Sequence, residues 1–121
     1  MKFSTDLSAV RALVRQRAKE AGLSETRVID LVIAVSEVAA NTVRHARSAG
    51  TLDVWQDGRE LICRIKDAGF IRDPLAGQRK PAPGAPGGYG LWLVHQVCDE
   101  VSMQSSETGT TIWMRMKLAG P

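Results

Sequence analysis

Apolar positions in the first third of the chain recur at helical spacing. Leu7, Val10, Leu13, Val14 and Ala18 form one stripe, with Arg11, Arg15 and Arg17 on the more polar side. Asp6 is placed to cap this helix and Gly22 to stop it. Ser24 is a second N-cap residue, and the helix it opens runs to about His45 or Arg47, with Gly50 ending the connection. The period then shortens. Leu52, Val54, Leu61, Cys63 and Ile65 alternate with polar neighbours across Asp57-Gly58, a hairpin signal. Asp67-Ala68-Gly69 closes the second strand. From Ile71 to Gly87 the chain reads as a loop that holds every proline except Pro121. Gly88-Tyr89-Gly90 opens a helix through Leu91, Trp92, Val94, His95, Val97 and Cys98. A last hairpin spans Glu100–Ser105 and Thr110–Leu118 and turns near Thr108-Gly109, and Lys2-Phe3-Ser4 is a candidate edge strand. Strand pairs joined by short turns, between helices, predict an α+β two-layer sandwich: a mixed, mostly antiparallel sheet with about three helices on one face.

One helix breaks its own pattern. Leu31-Val32-Ile33-Ala34-Val35-Ser36-Glu37-Val38-Ala39-Ala40-Asn41 is mostly apolar, yet Glu37 and Asn41 stand four residues apart on one side of it. Polar groups placed so need partners, and a carboxylate beside a carboxamide offers a proton acceptor and a metal ligand at the lining of a cavity. Asp67, at a strand end before a freely turning glycine, is an acceptor suited to an exocyclic amino group. Gly87-Gly88-Tyr89-Gly90 before a helix lets backbone amides approach an anion. No Gly-Lys-Ser/Thr follows it, so it is not a P-loop, and no strand leads directly into it as a dinucleotide fingerprint requires.

Bulk properties narrow the classes without choosing among them. The 121 residues predict a single domain, residues 1–121, and 44% hydrophobic with 24% charged residues is ordinary for a globular one. No apolar run approaches a membrane span and the start turns polar too early for a signal peptide, so a cytoplasmic protein is expected. Cys63 and Cys98 make neither a disulfide framework nor a CxxC pair and read as core residues. The charge of +3 is mild and no DNA or RNA reader motif appears. Nothing resembles a zinc site or a Gly-x-Ser-x-Gly elbow. Trp55, Trp92 and Trp113 are expected in the core or on a sheet face. His95 is expected to be packed, His45 to sit at a helix end, and Arg79 and Lys80 to lie in a solvated loop.

The order Ser-Glu-Val-Ala-Ala-Asn-Thr-Val-Arg-His-Ala, Asp-Ala-Gly, a Pro-rich loop, Gly-Gly-Tyr-Gly-Leu-Trp-Leu-Val and Gly-Thr-Thr resembles the N, G1, G2 and G3 boxes of the GHKL ATPase superfamily. The resemblance runs from about Asp6 to Leu118 and is strongest to bacterial anti-sigma factor serine kinases and actinobacterial anti-sigma regulatory domains. It implies the histidine kinase-like ATPase fold, with ATP and Mg²⁺ as ligands. Asn41 would bind the metal. Glu37 would be the catalytic base for an attacking serine hydroxyl. Asp67 would bind the adenine amino group with help from Thr111 through a water, and Gly69 would let the base lie close. Gly88, Gly90 and Leu91 would sit at the phosphate end, under a lid from about Ile71 to Gly87. Ile71 stands where the second glycine of the G1 box belongs, and a β-branched residue there resists positive φ, which predicts a stiffer lid.

The same resemblance implies an anti-sigma factor that sequesters an RNA polymerase sigma factor and phosphorylates a STAS-type anti-anti-sigma protein on serine or threonine, with a homodimer expected of such a family. Arg11 and Arg15 are candidates for the partner surface. Two alternatives stand beside it: a nucleotide-binding partner switch without transfer, and the ATP-binding part of a larger sensor kinase. Neither His45 nor His95 is followed by an acid, which weighs against a phosphoacceptor histidine in this chain.

Overall fold

The computed structural model describes residues 1–46, 49–69, 83 and 89–118. Strand β1 (Lys2–Phe3) precedes helices α1 (Ser8–Glu20) and α2 (Glu25–Asn41). α2 continues into a π-helical turn, Thr42–Ala46. The hairpin β2 (Gly50–Asp57) and β3 (Glu60–Asp67) follows, then α3 (Tyr89–Val97) and the hairpin β4 (Glu100–Ser106) and β5 (Gly109–Lys117). Strand order is β1-β2-β3-β5-β4, and every described pairing is antiparallel, where the sequence pattern left room for a mixed sheet.

Local chemistry explains the helix ends. Ser24 sits in an extended conformation and its hydroxyl accepts the Arg27 amide, the expected cap. Asp6 lies one residue further out than the pattern predicts. Leu7 takes the cap position without a side-chain bond, and Asp6 Oδ1 instead accepts the Ser8 amide at 3.0 Å. That bond holds the Asp6 carboxyl below the usual carboxylate range.

The helices cover one face of the sheet. Val10, Val14 and Ala18 of α1 and Leu31, Val35 and Val38 of α2 are buried against Leu52, Cys63, Ile65, Ile112, Met114 and Met116. Strand alternation puts Trp55, Arg64 and Trp113 on the opposite face, half-buried. There the Arg64 guanidinium lies 5.0 Å over the Trp55 ring and bonds Asp53 at 2.8 Å, which holds the Asp53 carboxyl below its ordinary range.

One arginine ties the helical layer together away from the sheet's outer face. Arg27, in the first turn of α2, donates to Asp30 at 3.0 Å and to the Val97 carbonyl at 2.8 Å, and lies 3.2 Å from Asp99. It thereby satisfies a carbonyl that the last turn of α3 leaves without a helical partner. Among the described residues no helix is long and apolar enough to cross a membrane.

Candidate functional site

Glu37, on the side of α2 turned to α3, and Asn41 are both half-buried. Glu37 lies against the first turn of α3, so closely that a β-carbon at position 90 would fall 2.5 Å from its Oε2. Glycine at 90 therefore has a packing reason of its own: it lets a carboxylate rest against the backbone at the start of the helix. One turn further along, Asn41 Oδ1 accepts a bond from the Arg44 guanidinium at 2.6 Å.

The π-helical turn begins at the next residue and brings a second box into reach. Thr42 is 2% exposed, and its hydroxyl donates to Asp67 Oδ2 at 2.7 Å. The other carboxylate oxygen of Asp67 accepts the Gly69 amide at 2.8 Å. Gly69 in turn gives its carbonyl to the Thr110 hydroxyl at 2.8 Å, and Thr110 is also 2.6 Å from the Ser105 hydroxyl. Asn41, Thr42, Asp67, Gly69 and Thr110 thus form one connected region, built from the end of α2, the end of β3 and the start of β5. An open groove of about 420 Å³ reaches Asp67 from the ends of β3, β4 and β5.

Gly109 closes this region by close approach. Its φ of +146° favours glycine, and a β-carbon there would collide with the Asp67 carbonyl. A side chain at 109 would push β5 away from the strand end that carries Asp67.

Thr111 is not beside Asp67. The register pairs Asp67 with Thr110 and Lys66 with Thr111, so Thr111 lies on the face away from the helices. Two adjacent threonines in a strand face opposite ways, yet both line the groove that reaches Asp67. Ile112, Met114 and Met116 are core residues and Thr110 continues their row, although the motif named only Thr111. Thr42 and Arg44 were also missed. Thr42 stands four residues beyond buried Val38 on the core side of α2, where a hydroxyl needs a partner. Arg44 gave no such signal. Leu91 packs half-buried against the core near Gly90. Gly88 lies outside the described residues, as do Ile71, Arg79 and Lys80 of the expected lid.

The donors suit one kind of metal. A carboxamide oxygen is a hard donor, and Mg²⁺ is commonly held by one or two protein oxygens together with substrate phosphates. Among the described residues no group of three His, Cys, Asp or Glu side chains could cage an ion. Asn41 therefore fits a metal that arrives with a nucleotide, provided Arg44 yields Oδ1.

Glu37 against the first turn of α3, and the end of α2 joined through Thr42 to a strand-end Asp-x-Gly, belong to an α+β domain with its helices on one face of an antiparallel sheet. The chain belongs to the histidine kinase-like ATPase domain family, whose model matches residues 4–116. It is similar to the serine-protein kinase RsbW of Bacillus velezensis, 32% identical over 127 residues that cover 92% of this chain and 78% of that protein. It is also similar to the serine-protein kinase RsbW of Bacillus licheniformis, 30% identical over 122 residues, covering 87% and 74%. Among solved structures it shares its fold with part of a structure of the RsbU and RsbW domains of a Mycobacterium tuberculosis protein. There the TM-score is 0.64 at 20% identity, and the match covers all of this chain and 33% of that one.

Proposed function

We propose that this chain binds ATP with Mg²⁺ and transfers the γ-phosphoryl group to a serine or threonine of a STAS-type anti-anti-sigma protein, and that it sequesters an RNA polymerase sigma factor when that protein is phosphorylated. The observation that carries the reading is the placement of Glu37 against Gly90, one helical turn from Asn41. The kinase names of the relatives support the reaction class.

Each residue has a role that its chemistry permits. Asp67 accepts the adenine amino group, since Thr42 and the Gly69 amide hold its carboxylate in place and an acceptor lone pair remains. Thr110, rather than Thr111, stands beside it on the inner face. Gly69, Gly90 and Leu91 line the approach, with Gly88 as a further amide donor. Glu37 accepts the proton of the substrate hydroxyl as its oxygen attacks the γ-phosphorus, and the bond from that phosphorus to the ADP oxygen breaks. Bound Mg²⁺, with Asn41 as its protein ligand, supplies charge neutralisation on the phosphates.

One observation favours a second reading, a nucleotide-dependent partner switch without transfer: Arg44 already engages the Asn41 oxygen at 2.6 Å. Titration with ATP and ADP, with and without Mg²⁺, tests the binding step. Intact mass of a STAS-domain protein from the same genome, incubated with Mg-ATP and this chain, tests transfer. A gain of one phosphate that is lost with Glu37→Gln is the expected result. Nucleotide binding without any mass gain leaves the switch.

A further inference from the structure

α2 carries a row spaced by fours: Ile29, Ile33, Glu37 and Asn41. Each step climbs about 6 Å and turns about 40° around the helix, so the row winds from the solvent side into the site. Its first two members are exposed isoleucines, 54% and 40% accessible. Apart from Met1, they are the only exposed large hydrophobic residues among the described residues. Neither adds to the core, and a β-branched residue on an exposed helix face is a poor helix former. The fold gives no reason for two of them in line with Glu37. The helix packed beside α2 is basic. α1 packs against α2 and carries Arg11, Arg15, Arg17 and Lys19 against one acid, Glu20.

We infer that Ile29 and Ile33 are the docking ridge for the protein substrate, whose contact surface is apolar at its centre and acidic toward α1. This rests on the kinase reading above. The continuity of the row decides the occupant: a chain that delivers a hydroxyl to Glu37 is held about 6 Å from Ile33 and about 12 Å from Ile29 along the helix axis. Two apolar anchors in a row that ends at the base give the substrate its register, and the basic helix steers an acidic partner to it.

The test uses a STAS-domain protein that the wild-type chain phosphorylates, the Ile29→Ser/Ile33→Ser double variant, and Ile33→Leu. Three quantities are read: ATP affinity by titration, initial rate against STAS protein concentration, and molar mass by light scattering. In the double variant, ATP affinity and kcat are expected to stay within about twofold, while KM for the protein rises about tenfold or more. Ile33→Leu keeps the wild-type KM, and added salt raises it. An unchanged KM in the double variant overturns the inference and leaves the kinase reading intact. A fall in molar mass alongside the KM change also overturns it, by making the ridge a contact with a second copy of this chain. A wild-type chain that binds ATP but phosphorylates no STAS protein removes the kinase reading and this inference together.

Discussion

Thr42 donates its hydroxyl hydrogen to Asp67 across 25 positions of sequence, at 2.7 Å. The bond joins the residue after the proposed metal ligand to the proposed adenine acceptor. It fixes one oxygen of a carboxylate whose other oxygen is fixed by the Gly69 amide. Thr42→Val keeps the shape and removes the donor. The loss should cost about 1–3 kcal/mol in a urea melt, since a partly buried carboxylate oxygen is left short of a partner. ATP affinity, read by titration, should fall with it.

Thr110 and Thr111 provide an internal comparison. Thr110 is 3% exposed and bonds the Gly69 carbonyl, whereas Thr111 lies on the outer face. Thr110→Val is expected to weaken nucleotide binding several-fold, and Thr111→Val to leave it within experimental error. Equal losses in the two variants would mean that the inner face of the sheet does not line the adenine site.

Gly90→Ala separates packing from chemistry. The added methyl meets the far end of a flexible side chain, Glu37, so the fold accommodates it by turning the carboxylate away. Thermal stability should change by less than about 1 kcal/mol, alanine being the better helix former. Phosphoryl transfer should fall by tenfold or more as the base leaves its place.

The two cysteines set an alkaline limit. Burial pushes the Cys63 thiol up to about 12, with Cys98 adding to the effect, and burial does the same for Cys98. Both values are raised above the ordinary 9.0, so the stability they contribute is complete below that pH. It is lost as pH climbs toward 12, because the unfolded chain releases thiol protons that the folded chain keeps. Urea melts should show stability falling above pH 9 by up to about 1.4 kcal/mol per pH unit for each thiol. Cys63→Ala should flatten that fall even though it lowers stability at neutral pH. Neither thiol should react with a disulfide reagent until the chain unfolds.

Much of this architecture was legible in the pattern. Leu7 to Ala18, the Ser24 cap and the Asp57-Gly58 turn each rest on local spacing, and local spacing survives folding. Glu37 stood out because a carboxylate on an apolar helix conflicts with its surroundings. The errors occurred where neighbours in space decide. Asp6 moved outward because Leu7 took the cap position. The end of α2 became a π-helical turn, whose widening shows no sequence mark. The Thr110 bond to Gly69 was not legible either, because a motif names residue types while the sheet assigns faces by parity.

Arg27 turns α3 into a lever with a fixed end. Its grip on the Val97 carbonyl and on Asp99 holds the far end of the helix, while Gly90, at the near end, meets Glu37. About 10 Å of helix separates the two, so a tilt of about 10° about the held end carries Gly90 through roughly 2 Å. That is enough to part the carboxylate from the helix start. The seat of Glu37 against the helix start is therefore tied to the far end of α3, through one guanidinium on the first turn of α2.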